Sequence, residues 1–90
     1  MKHATRDGLA PIAQLLDAIR REPRLKEKSF GIFYLSGRAF LHFHEDPRGL
    51  FADLRGLEDW ERFPVDRPQE RAQLLARIAA LTARPNGERG

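Results

Sequence analysis

The stretch SFGIFYLSGRAFLHFHE, residues 29–45, decides the fold of this 90-residue chain. Aromatic residues are frequent in it, and this composition is typical of strands rather than helices. Ser36-Gly37 divides the stretch near its middle, and a dipeptide of this kind commonly forms the two-residue loop of a β-hairpin. We therefore predict two antiparallel strands, at 29–35 and 38–45, joined by a tight turn.

Turn signals continue beyond this hairpin. Asp46-Pro47-Arg48-Gly49 has the residue preferences of a type I turn and predicts a short third strand at 50–55. A second turn at 56–59 leads to 60–65, where Pro64 would confine a fourth strand to the edge of the sheet. Whether 56–65 is a strand or an irregular arm stays open at this level, and it decides whether one sheet face is exposed.

Apolar residues at helical spacing predict one helix near each end of the chain. The first helix is expected at about 9–21, and 22–28 follow it as a charged connection. The second is expected at about 67–83, where Asp66 and Gln69 have the spacing of a capping box.

The element order is therefore α-β-β-β-(β)-α. Helices at both ends can cover one face of an antiparallel sheet of three to four strands, which gives a two-layer α+β sandwich. We expect a single domain at 1–84 and a disordered tail at 85–90.

Composition and charge exclude several classes of protein. The chain is 41% hydrophobic and 32% charged, as soluble globular domains are, and it has no apolar run near the length of a membrane span. The absence of cysteine excludes disulfides, a thiolate nucleophile and a cysteine-ligated zinc site. We expect a cytoplasmic protein without a cofactor and without membrane contact. The net charge of +3 is unevenly distributed, because residues 1–28 and 67–90 are basic and residues 29–66 are acidic. The predicted sheet is therefore acidic.

The predicted turns also set a strand register, which assigns side chains to two sheet faces. Leu35 pairs with Arg38 and Phe33 with Phe40, while Glu45 pairs with Leu50. The face expected under the helices carries Phe30, Ile32, Tyr34, Ala39, Leu41, Phe43, Ala52 and Leu54. The opposite face carries Phe33, Leu35, Arg38, Phe40, His42, His44, Phe51, Asp53 and Arg55.

Two histidines and a carboxylate on the second face are the candidate site for chemistry. His42 and His44 alternate with core residues and point the same way, and the register places Asp53 opposite His42. Such a set can ligate a divalent metal or serve in acid–base catalysis, so these three are the candidate catalytic and metal residues. A structural alternative stays open, in which His42 pairs with Asp53 and His44 stacks on Phe51.

The apolar residues of the second face suggest an interaction surface. We expect a non-enzymatic module that binds another protein or a second copy of itself. The predicted binding surface consists of Phe33, Arg38, Phe40, Phe51 and Arg55. Aromatic residues beside arginines can also stack single-stranded bases, but Glu45, Asp46 and Asp53 disfavour nucleic acid there. Trp60 is expected to cap one end of the core together with Phe63.

A resemblance rests on Phe40-Leu-His-Phe-His44, on Gly49-Leu-Phe-Ala-Asp53-Leu, and on the tryptophan strand and leucine-rich helix that follow. Over about residues 29–83 the chain resembles a small bacterial family of luciferase domains whose function is unknown. The chain lacks a second histidine pair ahead of the final helix and any flavin or adenylate motif. The resemblance therefore implies no luciferase chemistry, and it directs attention to His44 and Asp53.

Overall fold

The computed structural model describes residues 2–83 and shows the predicted α+β fold class. Its elements are β1 (Lys2–His3), a 3-10 turn (Ala10–Ile12), α1 (Ala13–Arg20), β2 (Leu25–Ser29), β3 (Ile32–Leu35), β4 (Arg38–Asp46), β5 (Gly49–Arg55), β6 (Trp60–Pro64) and α2 (Pro68–Thr82). Within the described residues the strands form one antiparallel sheet in the order β2-β3-β4-β5-β6, and β1 pairs with β4. The predicted tail at 85–90 lies outside the described residues.

One hydrophobic core lies between the helices and one face of the sheet, which we call the inner face. Its sheet residues are at most 3% exposed, and they are Phe33, Phe40, Leu41, Phe43, Ala52 and Leu54. The helices contribute Leu15, Leu16, Ile19, Leu74 and Ile78. Burial of a large apolar side chain stabilises a fold by about 1.5–3 kcal/mol, so this face holds the helices in place. The opposite face, the outer face, is the one that carries the histidines.

The central hairpin has the predicted turn, followed by a bulge that was not predicted. Ser36 and Gly37 both have positive φ, 52° and 81°, as a two-residue type I′ loop requires, and Leu35 pairs with Arg38. Beyond Ala39 the register shifts, and Phe33 pairs with Leu41 instead of Phe40. Phe40 is thus the extra residue of a β-bulge.

The bulge changes which face each β3 residue occupies. Phe33 now lies opposite Leu41 on the inner face and is 1% exposed, so its predicted place on the second face is wrong. Phe40 is 3% exposed and belongs to the same core, because a bulge allows adjacent residues to be buried together. Alternation along β3 then turns Ile32 and Tyr34, which were predicted for the core, away from it.

The charged connection predicted at 22–28 contains the edge strand β2. Leu25 pairs with Leu35 and Lys26 with Tyr34, while the side chain of Arg20 binds both carboxylate oxygens of Glu27 at 2.6 and 2.9 Å. Charged residues are frequent on edge strands because they discourage pairing with other chains. The prediction of a connection at 22–28 was therefore wrong for residues 25–28, which belong to β2.

The remaining boundaries differ from the predictions in smaller ways. β6 is an edge strand that ends at Pro64, as predicted for 60–65. At the start of α2, Glu70 Oε1 accepts a hydrogen bond from the Arg67 N–H at 2.9 Å, whereas Asp66 accepts one from Leu50 N–H. The predicted Asp66–Gln69 capping box is thus replaced by an Arg67–Glu70 pair. Neither α1 nor α2 has the length and apolarity that a membrane crossing requires.

Candidate metal centre

Strand β4 places His42 and His44 side by side on the outer face. Their sequence neighbours Leu41 and Phe43 are 0% and 2% exposed on the inner face, so alternation turns both imidazoles the other way. The two ring centroids lie 4.8 Å apart in an edge-to-face arrangement. Both side chains are partly buried.

A third histidine joins them from the start of the chain. His3 in β1 pairs directly with His44 across the sheet, and directly paired residues point to the same face. Its ring centroid lies 5.2 Å from that of His44 and 5.5 Å from that of His42. One nitrogen from each of the three rings lies within 4.8 Å of the others. We call His3, His42 and His44 the histidine cluster.

Backbone and side-chain hydrogen bonds attach the N-terminal segment to β4 and so position His3. The Ala4 N–H donates to the carbonyl of Phe43 at 3.1 Å, and the Thr5 N–H donates to Glu45 Oε2 at 2.8 Å. Glu45 lies next to His44 in β4 and pairs with residue 2 of β1. The strand that carries two of the imidazoles therefore also holds the segment that carries the third.

Asp53 of β5 lies beside the cluster, and it contacts a different histidine from the one expected. The predicted backbone pairing of His42 with Asp53 is confirmed. The carboxylate, however, reaches diagonally to His44, with 2.8 Å between Oδ2 and Nε2. His42 instead lies edge-on to Trp60, with 5.2 Å between ring centroids. The structural alternative of a His42–Asp53 salt bridge is therefore replaced by a His44–Asp53 contact.

Arg62 of β6 fixes the carboxylate of Asp53. Its Nε donates to Oδ1 at 2.7 Å and its Nη2 donates to Oδ2 at 2.9 Å, which is the bidentate geometry that a guanidinium favours. These hydrogen bonds from Arg62 hold the pKa of Asp53 below its ordinary value. Asp53 is consequently a charged carboxylate at neutral pH.

Three ring nitrogens of the cluster are buried and have no hydrogen-bond partner among residues 2–83: His42 Nδ1, His44 Nδ1 and His44 Nε2. The last of these is close to Asp53 Oδ2, but the oxygen lies off the direction of a hydrogen bond. A buried polar atom without a partner costs about 1–3 kcal/mol. Such atoms therefore indicate either strain or a site for a ligand.

The charge state of His42 also suits a ligand. Burial lowers the pKa of His42 below its ordinary value, and the nearby His44 lowers it further. The ring is therefore neutral at pH 7, and a neutral imidazole is the form that coordinates a metal ion.

An aromatic side chain and an arginine form one side of the cluster. Trp60 is 39% exposed and lies against His42, so the prediction that it caps the core is wrong. Arg55 stacks over the Trp60 ring at 4.5 Å and donates from Nε to the carbonyl of Ala39 at 2.7 Å. Phe63, its predicted partner, is partly buried and packs against the core.

The structure brings together only part of the predicted binding surface. Phe33 and Phe40 are core residues, so the apolar surplus that suggested an interaction face, or a platform for stacking bases, is much reduced. Phe51 stays on the outer face with the Arg48 guanidinium 5.7 Å above its ring. Arg38 is exposed at the start of β4, and Arg55 holds Trp60.

Sequence reasoning identified His42, His44 and Asp53 but missed His3 and Arg62. His3 belongs to a strand of only two residues, which has no hydrophobic alternation to reveal it. Arg62 was detectable in principle, because a strand at 60–65 in register with β5 places it opposite Asp53.

Comparisons of the chain with protein-family models, with curated proteins and with solved structures found no match. The resemblance to the luciferase-domain family stays a prediction.

Proposed function

We propose that this protein binds a divalent transition-metal ion through the histidine cluster, and that Zn²⁺ is the ion to test first. One observation carries the proposal: three imidazoles offer nitrogens within 4.8 Å of one another, and two of the rings hold buried nitrogens without a partner among the described residues. Imidazole is a preferred ligand of Zn²⁺ and of neighbouring transition metals.

The cluster is close to the dimensions of a zinc site. Zn–N bonds of about 2.0–2.1 Å in tetrahedral geometry place the nitrogens about 3.3 Å apart. The largest separation in the cluster, 4.8 Å, would have to contract by about 1.5 Å. His3 is exposed on a two-residue strand, so rotation of its side chain supplies much of this closure.

Three imidazoles supply three protein ligands and leave a tetrahedral ion one position for water or another ligand. Catalytic zinc sites have three protein ligands, whereas structural zinc sites have four. The metal-dependent enzyme suggested by the sequence is therefore compatible with the cluster. Self-association, a protein partner and a cytoplasmic location also stay predictions.

A competition titration against a chromophoric zinc chelator tests this proposal. We expect one Zn²⁺ per chain, and we expect His3→Ala, His42→Ala and His44→Ala each to weaken binding at least about tenfold, or 1.4 kcal/mol. Glu58→Gln is the control, because it removes an exposed carboxylate from the β5–β6 turn without touching the cluster. Circular dichroism of each variant verifies that the fold persists.

Two results would contradict the proposal. The first is the absence of saturable Zn²⁺ binding by the intact protein. The second is binding that all three histidine variants retain at the affinity of the control, because the ion would then occupy some other part of the chain.

A further inference from the structure

We propose that Asp53, fixed by Arg62, is a positioning residue of the metal centre: it accepts a hydrogen bond from His44 Nε2–H and thereby directs Nδ1 of His44 to the ion. This inference rests on the proposed function, because it assigns the metal-binding atom of one ligand. It also makes Asp53 an outer partner of the site rather than a fourth ligand.

The order of the strands provides the first argument. β1 and β5 flank β4 on opposite sides, so the ring of His44 lies between His3 and Asp53. The Nε2 atom is the one near the carboxylate, at 2.8 Å from Oδ2. Within residues 2–83, the group of mutually close donor atoms consists of the three histidines. An ion shared with His3 would therefore approach the ring of His44 from the β1 side, away from Asp53.

The attachment of Asp53 to Arg62 provides the second argument. Both carboxylate oxygens accept hydrogen bonds from the guanidinium, at 2.7 and 2.9 Å. Movement of Asp53 onto an ion would break this bidentate pair. A carboxylate that stays in place and accepts a proton donor from a ligating histidine fixes the ring and makes the opposite nitrogen a better ligand.

The state of the second nitrogen provides the third argument. His44 Nδ1 is buried and has no hydrogen-bond partner among the described residues, so it is free for coordination. In the proposed arrangement the ring rotates so that the Nε2–H points at Asp53 Oδ2. The same rotation fixes the tautomer in which Nδ1 carries the lone pair.

Long-range ¹H–¹⁵N NMR of the Zn²⁺-loaded protein tests the assignment without a substitution. We expect His44 to show a protonated Nε2 and a metal-bound Nδ1. In the titration, Asp53→Ala should lower Zn²⁺ affinity by about 10–100-fold, the usual effect of removing such a partner. Asp46→Ala is the matched control, because Asp46 forms its own pair with Arg48, at 3.0 Å, in the next turn. We expect this control to leave the affinity unchanged.

The outcomes separate this inference from the proposed function. Zn²⁺ bound through Nε2 of His44, or an affinity of Asp53→Ala equal to that of Asp46→Ala, overturns the role of Asp53 while the three-histidine site stands. Failure of the intact protein to bind Zn²⁺ overturns both. A metal-bound Nδ1 together with the selective loss in Asp53→Ala supports the positioning role.

Discussion

Replacement of Phe33 by alanine tests the β-bulge at Phe40 and the sheet face that this bulge gives to Phe33. The regular register of the hairpin would place Phe33 on the outer face, whereas the bulge at Phe40 places it in the core at 1% exposure. Truncation of a buried phenylalanine removes its packing and leaves a cavity, which costs about 3–5 kcal/mol.

This loss is large relative to the stability of a chain of this length. At about 0.05–0.15 kcal/mol per residue, 90 residues give a free energy of unfolding of about 5–13 kcal/mol. Each kcal/mol shifts the melting temperature of a domain of this size by about 4–8 °C. Phe33→Ala should therefore lower the melting temperature by about 12–40 °C.

Urea unfolding followed by circular dichroism measures the loss in the free energy of unfolding of Phe33→Ala relative to wild type. Phe51→Ala provides the control. Phe51 is also a strand phenylalanine, but it is partly exposed on the outer face, where cross-strand contacts contribute about 1 kcal/mol or less. Equal destabilisation by the two substitutions would refute the bulge and return Phe33 to the outer face. A loss at least threefold larger for Phe33→Ala is the expected result.

Three further predictions follow from other contacts. Free Zn²⁺ at 100 times its dissociation constant should stabilise the protein by about 2.7 kcal/mol in thermal unfolding, and a melting temperature unaffected by Zn²⁺ would contradict the metal site. The hydrogen bonds from Arg20 hold the pKa of Glu27 below its ordinary 4.5. The stabilisation from Glu27 is therefore present above that pH and lost as pH falls through the lowered pKa. Glu27→Gln should accordingly be less stable than wild type in urea at pH 7, and this difference should shrink as the pH is lowered below 4.5; a difference that stays constant would argue against the ion pair. Gly49→Ala should destabilise by about 1–3 kcal/mol, because φ is 139° and the added Cβ would lie 2.0 Å from Asp66 Oδ2; unchanged urea unfolding would contradict this.

Local turn chemistry was the most predictable part of the fold. Ser36-Gly37 has the composition of a two-residue loop, and the pairing of Leu35 with Arg38 follows from it. The Glu45–Leu50 pairing was also predicted from its turn and is confirmed. The bulge could not be predicted, because the benefit of burying Phe40 beside Leu41 arises only after the helices cover the sheet. One extra residue then reverses the faces along β3.

The candidate site was predictable where its residues lie in long strands. Alternation in β4 is sufficient to place His42 and His44 together, and the β4–β5 turn brings Asp53 opposite. His3 is 39 residues away from His42, and its position depends on two residues of pairing and on the contact of Thr5 with Glu45. Tertiary contacts of this kind leave no periodic pattern in the sequence.

The charged strand β2 illustrates a related limit. Its sequence, LKEKS, lacks the β-branched and aromatic residues by which strands are usually recognised. Leu25 and Glu27 are partly buried, whereas Lys26 and Lys28 are exposed. Burial therefore alternates along β2, but one of its two partly buried side chains is a carboxylate. Arg20 of α1 neutralises that carboxylate, and the pattern becomes understandable only when the helix is in place.

The short strand β1 covers part of one edge of β4. β3 pairs with β4 from Arg38 to Leu41, so the edge of β4 near Phe43 lies beyond the last pairing with β3. The segment at 2–4 occupies this edge through its pairing and through the Ala4–Phe43 hydrogen bond. Exposed strand edges are templates for intermolecular pairing, so detachment of β1 would uncover an aromatic segment that another copy could extend. A metal ion bound by both His3 and His44 would hold β1 on this edge. Such an ion would consequently also reduce intermolecular strand pairing.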